Sequence, residues 1–398
     1  MRWIDAEAQQ RVPFDVQLAL CRESAARWPH DAMMHARLGD VLLSLTKYDE
    51  AAEVFARART LDGGGLRALE LARCYLYLNR ADDALQICDE ALASSPHPDI
   101  SNFHELRGRA LGSLHRPDDA SDAFLAAMRT SSRAYSAASA LLVRLAHDPD
   151  DSRLLAFCEA LPADYYNCSV ARGFRAVGLS RVGRVDEAQK LVDLERHIWQ
   201  VPFEPPQEFG GIENFNAVLA KEILDNPGLG RIGTYDFLRT QQLGLARERA
   251  YAAITVFMRA AFEKYLEDIP RRGLDEIMPS TPTEGILFTG ANVVREGDSH
   301  LAHLHKYAYV SGVYHVSVPR DDGGGDGRPG ALLVGPWSRT AGGHEPCWGR
   351  RYINPVAGVA TIFPSHFFHS VVPTRGAELR IAIAFDLNPI GRRSEKED

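Results

Sequence analysis

The sequence lacks the cysteine pairs that mark disulfide or zinc frameworks. Its six cysteines are scattered and form no Cys-x-x-Cys pair, which disfavours a zinc ribbon and a secreted disulfide scaffold. It also has no apolar run of membrane length, and the residues after Met1 turn polar at once instead of forming the apolar core of a signal peptide. We therefore expect no membrane association and, by default, a cytoplasmic location.

An excess of positive charge is missing as well. The 398 residues include 45 Lys and Arg against 53 Asp and Glu, a formal net charge of −8, with no long basic run. Since nucleic-acid binding depends on clustered cations, we expect no nucleic-acid partner. With 45% hydrophobic and 25% charged residues, the composition is that of an ordinary globular protein, and the length predicts two or more domains.

The first half contains a repeated helical unit. Its central alanines, Ala51, Ala84 and Ala120, are separated by 84 − 51 = 33 and 120 − 84 = 36 residues, which bracket the tetratricopeptide period of about 34. Acidic residues precede each alanine, where they complement the dipole of a second helix. Small residues on each first helix allow the two helices to approach closely. These small residues are Gly39, Ala72 and Gly108.

We predict a tetratricopeptide-like helical domain over 1–200, with a weaker fourth copy at 173–192. The repeats form either a stacking scaffold, including a surface for a homo-oligomer, or a concave groove for an extended peptide or protein substrate. The sequence leaves both interpretations open. A proline cluster at 199–206 predicts the domain boundary.

The second domain, 201–398, changes to short strands. A helical lead-in over 207–270 precedes runs rich in β-branched and aromatic residues. Short strands behind a helical layer predict a jelly-roll, or double-stranded β-helix, over 283–389. The fold class is therefore α+β multidomain, a helical solenoid followed by a cupin-like jelly-roll. The glycine-rich segment 321–330 predicts a loop, either a hairpin insertion or a lid.

Three histidines and one arginine form the candidate site. Residues i and i+2 of a strand point to the same face, so His303 and His305 can present two imidazoles to one metal while Leu304 faces the core. His369 comes from a later segment. Arg380 follows it by 380 − 369 = 11 residues, enough for a turn and a return strand beside it, and its guanidinium suits a dicarboxylate. The pattern predicts a metal site.

The stretch 285–389 resembles a bacterial family of 2-oxoglutarate/Fe(II) oxygenases that often carry tetratricopeptide repeats in front. The resemblance implies His303 and His369 as metal ligands and Arg380 as the partner of the distal carboxylate of 2-oxoglutarate. It implies Fe(II) as cofactor and 2-oxoglutarate as co-substrate. Tyr307 and Tyr314 are assigned to cofactor binding. The likeness rests on His303-Leu304-His305, Ser311-Gly312-Val313-Tyr314, Gly335-Pro336, Pro355-Val356-Ala357-Gly358, Phe363-Pro364-Ser365 with His369, and Arg380-Ile381-Ala382-Ile383-Ala384-Phe385-Asp386.

The third metal ligand has more than one candidate. His305 takes the position where the wider superfamily usually has Asp or Glu. Three neutral ligands would leave the metal charge higher by one, and imidazole also suits zinc, copper and nickel. A carboxylate could complete the set instead, from Asp298 or Asp386. Asp386 has even spacing from Arg380, so it could face inward and support a ligand histidine. His366 is an alternative ligand.

Three positions depart from the family pattern. Lys306 stands where a proline often follows the two histidines. His315 stands where a second tyrosine is common. Ala382 stands where a hydroxyl residue often helps the arginine to hold the co-substrate. These departures affect the details of substrate and co-substrate binding rather than the core set of residues.

The resemblance implies oxidative decarboxylation of 2-oxoglutarate to succinate and CO₂, coupled to hydroxylation of an unactivated C–H bond. We predict a hydroxylase acting on a peptide or protein side chain that the repeats deliver. One alternative is a small-molecule hydroxylase whose repeats serve only assembly. Another is a non-catalytic repeat adaptor with a cupin-like metal-binding module. Metal content and succinate formation discriminate between these classes.

Overall fold

A computed structural model of the chain contains two compact units. One unit comprises Met1–Gln9 and Leu142–Asp398, and the other comprises Gln10–Leu141. Within the described residues, no helix is long and apolar enough to cross a membrane. The structure describes all residues outside 4–13, 64–66, 95–98, 132–133, 163–164, 166–167, 227–228, 232–237, 241–248, 276, 279–280, 298–299, 320–327, 336–341, 375–377 and 391–398.

The unit Gln10–Leu141 is built from helices. Successive helices pack on one another, α2 on α3 and α6 on α7 among them. An eighth helix, α8 (Tyr135–Ala146), crosses the division between the units. The helices before it are α1 (Phe14–Arg27), α2 (Ala32–Ser44), α3 (Tyr48–Asp62), α4 (Ala68–Tyr77), α5 (Ala81–Ala93), α6 (Ile100–Ser113) and α7 (Pro117–Thr130).

Small residues hold these helix pairs together as the repeat predicts. A Cβ on Gly108 would lie 2.6 Å from a ring carbon of Phe124, and Gly39 faces the ring of Phe55 in the same way. Only glycine lets the first helix approach the aromatic ring of the second so closely. The central alanines of the second helices are all buried, and acidic residues occupy the first turns of those helices. The tetratricopeptide-like fold is confirmed.

The second unit contains the strands and further helices. Its described helices are α9 (Asp151–Ala160), α10 (Ser169–Arg181), α11 (Val185–Leu191), α12 (Ile212–Leu224) and α13 (Arg249–Glu267), with 3-10 turns at Gln207–Phe209 and Pro270–Arg272. Its described strands are β1 (Arg2–Trp3), β2 (Trp199–Pro202), β3 (Gly230–Arg231), β4 (Leu238–Arg239), β5 (Glu284–Val294), β6 (His300–His303), β7 (Val310–Ser317), β8 (Leu332–Val334), β9 (Arg351–Ile353), β10 (Val359–Pro364), β11 (His369–Val371) and β12 (Arg380–Pro389).

These strands form two sheets around one core. The large sheet has the order β2-β10-β7-β12-β5-β4-β3, with β1 beside β5, and the small sheet has the order β6-β11-β8-β9. All pairs are antiparallel except β1 with β5. Apolar residues of α12 and α13 share a core with odd-numbered residues of β12, so these helices cover the outer face of the large sheet. The predicted jelly-roll with a helical layer is confirmed.

The division between the units differs from the boundary predicted near residue 200. Ala176, Leu179 and Leu191 belong to the same apolar core as Ile383 and Phe385. The proline-rich segment contributes β2, which pairs with β10. Residues 142–206 are therefore integrated in the second unit, because their apolar surface is buried there rather than against a further repeat.

Several short strands were not predicted from the sequence. Among the described residues, β6, β9 and β11 have only three or four residues each, too few for a periodic pattern to show. The longer strands β5, β7, β10 and β12 agree within a few residues with the runs rich in β-branched and aromatic residues at 285–294, 307–318, 359–363 and 380–385. Most of the glycine-rich loop predicted at 321–330, namely 321–327, lies outside the described residues.

Candidate metal centre

Three histidines meet at the small sheet. His303 ends β6 and His369 begins β11, and the two are direct partners in the antiparallel ladder. His305 follows β6 by two residues. One ring nitrogen from each of the three lies within 4.8 Å of the others. The structure thus brings together all three histidines that the sequence selects.

The strand does not extend through the whole His-x-His motif. β6 ends at His303, and the amide of His305 donates instead to the carbonyl of Ser365, at 3.2 Å. A Cβ on Gly173 of α10 would lie 2.9 Å from Leu304 Cδ2, so Leu304 packs against that helix. Strand alternation alone therefore does not orient the motif. The hydrogen bond to the Ser365 carbonyl and the packing of Leu304 on α10 also hold it in place.

The ring hydrogen bonds of two ligands leave one nitrogen of each available. Nδ1 of His303 lies 2.8 Å from the carbonyl of Leu301, and Nδ1 of His369 lies 3.0 Å from the carbonyl of Phe367. A carbonyl oxygen only accepts, so each Nδ1 carries the proton and each Nε2 keeps its lone pair. A metal-binding imidazole needs one such unprotonated ring nitrogen.

Burial keeps these imidazoles neutral. Burial, with the neighbouring histidines adding to its effect, lowers the pKa of His303 to about 4 and the pKa of His369 well below its ordinary value. At neutral pH both side chains are therefore unprotonated at the ligating nitrogen. Two neutral imidazoles beside a third histidine fit a divalent transition metal.

Asp386 supports the third histidine rather than replacing it. Its carboxylate oxygens lie 2.6 and 2.7 Å from Nδ1 of His305. Ser311 donates to the same carboxylate at 2.7 Å and accepts from Ser365. Burial raises the pKa of Asp386, but the His305 and Ser311 contacts together outweigh it and the pKa is lowered. Asp386 thus stays an acceptor and leaves Nε2 of His305 to bind a metal.

Arg380 lies on the opposing large sheet. It begins β12, which pairs with β5 and β7 and not with β11, so the return strand expected beside His369 belongs to the other sheet. The residue is 2% exposed. Among the described residues its Nε has no hydrogen-bond partner, and burial lowers its pKa to about 10. A buried guanidinium whose Nε lacks a partner fits a carboxylate ligand.

Tyr314 is not brought to the site. It faces away from Ser311 and Asp386, on the helical side of the large sheet, and its hydroxyl donates to Asn216 of α12 at 2.7 Å. Its assignment to co-substrate binding is corrected, because it is out of phase with the residues that face the metal cluster. Tyr307 lies in the bend after His305 and is half-buried; its role stays a prediction.

Of the two remaining alternative ligands, the structure describes only His366. His366 is buried and its Nε2 lies 2.9 Å from the carbonyl of Leu191, within hydrogen-bonding distance, and it does not belong to the histidine cluster. Asp298, the other carboxylate that the sequence offers, lies outside the described residues.

Further polar residues line the same face of the large sheet. Asn292, His315 and Thr361 are buried and carry side-chain atoms without a hydrogen-bond partner in the described part of the chain. Sequence reasoning did not select them for the site. The only sequence feature that could have identified them is a polar residue within an otherwise apolar strand. Such residues are also common in packed sheets without a functional site.

Two family models match the chain. Residues 290–386 match a family described as "Putative 2OG-Fe(II) oxygenase", and residues 42–110 match a tetratricopeptide repeat. Among curated proteins, none matches this chain. The protein therefore carries a 2OG-Fe(II) oxygenase domain and tetratricopeptide repeats, and the oxygenase match contains every residue of the histidine cluster and Arg380.

Solved structures resemble parts of the chain at low identity. A prolyl-4-hydroxylase from Pseudomonas putida is 17% identical, with 50% of this chain and 96% of that one covered and a TM-score of 0.35. A prolyl hydroxylase from Trichoplax adhaerens, in complex with a hypoxia inducible factor peptide fragment, is 14% identical, with 55% and 94% covered and a TM-score of 0.35. YrrB, a tetratricopeptide protein with an unusual peptide-binding site, is 15% identical, with 44% and 93% covered and a TM-score of 0.35. These values give no information on the substrate.

Proposed function

We propose that the protein is an Fe(II)- and 2-oxoglutarate-dependent hydroxylase that acts on a peptide or protein side chain. The observation that carries the proposal is the cluster of His303, His305 and His369 at the small sheet. On the large sheet lies the buried Arg380, whose Nε has no hydrogen-bond partner among the described residues. The family match over 290–386 supports the metal and the co-substrate.

The chain's own residues have separable tasks in this reaction. The Nε2 atoms of His303, His305 and His369 would hold the metal. Asp386 accepts a hydrogen bond from Nδ1–H of His305 and so fixes its ring. Arg380 neutralises and orients the distal carboxylate of the co-substrate, and its burial excludes water that would weaken the pairing. When bound, Fe(II) and 2-oxoglutarate supply O₂ activation with release of succinate and CO₂.

The tetratricopeptide repeats support a peptide or protein as the substrate. Stacked helical repeats present extended surfaces on which chain segments bind, and residues 42–110 match the repeat model. We propose that the repeats select the substrate while the jelly-roll modifies it. A cytoplasmic location remains part of the proposal.

The test uses the full-length, iron-loaded protein with 2-oxoglutarate and a peptide mixture. We expect succinate to form and a peptide to gain one oxygen atom, both dependent on Fe(II). His369→Ala should lose iron and both products. His366→Gln, three residues away but outside the cluster, should keep iron. Iron binding without any succinate in the wild type would instead favour a non-catalytic adaptor.

A further inference from the structure

The inner face of the large sheet holds polar atoms that nothing in the described chain satisfies. His315 is 1% exposed, and neither Nδ1 nor Nε2 has a hydrogen-bond partner. Arg380 is 2% exposed and its Nε is unpaired. A buried polar group without a partner costs about 1–3 kcal/mol. Two such groups on one face of a sheet indicate a place where a polar ligand is bound.

The strand register places these two residues on one face. Ala382 follows Arg380 by two residues on β12, so the two side chains point to the same side. His315 of β7 is the direct partner of Ala382, and directly opposed residues share a face. The same face carries Asp386, which is paired with Ser311 and touches His305. The register of β12 on β7 shifts between Ile381 and Ala382, but the ladder of β12 on β5 runs unbroken from Arg380 and keeps Arg380 and Ala382 on one face. His315 therefore faces the histidine cluster's side of the sheet, as Arg380 does.

The residues between His315 and Arg380 cannot satisfy either of them. Ala382 offers only a methyl group, and its other neighbour, Asn292 of β5, has an unpaired Oδ1 of its own. Gly330 packs over the Arg380 side chain, where a Cβ would lie 3.2 Å from its Cδ. The guanidinium is thus covered from the loop side, and its unpaired Nε belongs to a side chain on the same face as His315.

The charge state of His315 determines what it can bind. Burial, together with the nearby Arg380 charge, lowers the pKa of His315 to about 3. The imidazole is therefore neutral at physiological pH, with one N–H donor and one acceptor. Beside a cation, the N–H donor suits an anionic oxygen that the cation already attracts.

We infer that His315 is the second hydrogen-bond donor to the distal carboxylate of 2-oxoglutarate, alongside Arg380. This inference rests on the proposed function. Arg380 pairs with the carboxylate as a cation, and His315 donates its ring N–H to a carboxylate oxygen. The pair selects a 2-oxo acid with a distal carboxylate over one that ends in a methyl group.

The experiment compares two co-substrates on the iron-loaded, full-length protein under anaerobic conditions. Dissociation constants are measured by calorimetry for 2-oxoglutarate and for 2-oxopentanoate, which replaces the distal carboxylate by a methyl group. A hydrogen bond to a charged group is worth about 1.5–3 kcal/mol. We therefore expect His315→Leu to weaken 2-oxoglutarate about tenfold to a hundredfold and to leave 2-oxopentanoate unchanged.

Two further variants separate a binding role from a structural one. His315→Gln, which keeps a donor, should recover part of the preference for 2-oxoglutarate and serves as the main test if His315→Leu does not fold. His197→Leu removes another buried histidine, outside the site, and should leave both constants unchanged.

Each outcome bears on a stated claim. Equal weakening of both co-substrates, or an unchanged preference in His315→Leu and His315→Gln, overturns the role of His315. If Arg380→Ala alone loses the preference, the proposed function stands without His315. If the wild type binds neither 2-oxo acid, the proposed function itself falls and the inference falls with it.

Discussion

Asp386 determines how His305 is presented to a metal. Its carboxylate oxygens accept a hydrogen bond from Nδ1–H of His305, with oxygen–nitrogen distances of 2.6 and 2.7 Å, and one of them also accepts from Ser311. An amide in its place cannot offer two equivalent acceptor oxygens, and its NH₂ group would oppose the Nδ1 proton. The carboxylate therefore acts on the metal through the orientation and basicity of the histidine.

We expect Asp386→Asn to weaken metal binding about tenfold to a hundredfold, the usual effect of removing such a partner. Competition with a coloured chelator measures the affinity. Ser311→Ala is the matched control: it removes a donor to the same carboxylate but leaves the His305 contact, so its effect should be smaller. Wild-type affinity in Asp386→Asn would show that His305 does not bind the metal.

The sequence identified the histidine cluster and Arg380, but not which side chains of β7 face the inside of the jelly-roll. Every residue of β7 except two is buried, so the strand shows no alternation of polar and apolar positions that would reveal its inner face. Tyr314 was therefore assigned to the site and its neighbour His315 was not. The pairing of Ala382 with His315 shows that His315, and not Tyr314, faces inward. Strand pairing depends on the tertiary fold and cannot be read from one strand's sequence.

At the scale of elements, two glycines of α6 make a matched pair. A Cβ at Gly108 would meet the Phe124 ring at 2.6 Å, whereas nothing lies within 4 Å of a Cβ at Gly112. We expect Gly108→Ala to lower the free energy of unfolding by about 1–3 kcal/mol, the usual cost of overpacking. Gly112→Ala should raise it by about 0.5–1 kcal/mol, because glycine is a poor helix former.

Urea unfolding followed by far-ultraviolet circular dichroism measures both changes. Equal effects of the two substitutions would show that α6 and α7 do not pack as a tetratricopeptide pair.

The helices were predictable because they are long and periodic, and the short strands were not. β6 and β11, which carry two of the ligands, have four and three residues. Their place was marked only by the chemistry of His303 and His369, since a strand of that length has no period. The fourth repeat copy predicted at 173–192 does form two helices, α10 and α11, but Gly173 meets Leu304 and the carbonyl of His366 rather than a following repeat.

At the scale of the whole molecule, buried neutral histidines tie stability to pH. Burial lowers the pKa of His197 to about 4 and the pKa of His366 to about 3, against about 6.5 in an unfolded chain. Between those values the unfolded state binds more protons, so stability is full above about pH 6.5 and is lost as the pH falls. Each of the two histidines lowers the free energy of unfolding by up to about 1.4 kcal/mol for each pH unit of acidification in this range.

We therefore expect the urea concentration at the midpoint of unfolding to be lower at pH 5 than at pH 7 in the wild type. The decrease should be smaller in His366→Gln. Glutamine fills much of the space and does not titrate. The same pH dependence in wild type and variant would contradict the assignment of this acid sensitivity to His366.

The division of the molecule into units was the least predictable feature at this scale. Repeat-like composition continues to about residue 200, yet the chain from Leu142 onward folds with the jelly-roll unit. Composition reports that a segment is helical and amphipathic, but not which partner buries its apolar face. In this protein α10 lies against the segment that carries Leu304, so the extra helices help to position the metal site.

The most direct test of the account is an anaerobic titration of the Fe(II)-loaded protein with 2-oxoglutarate, followed by the visible metal-to-ligand charge-transfer band. We predict that the band appears in the wild type, and that in Arg380→Ala, with its iron content unchanged, more 2-oxoglutarate is needed to produce it. A protein that holds iron but develops no band at any 2-oxoglutarate concentration would contradict the account.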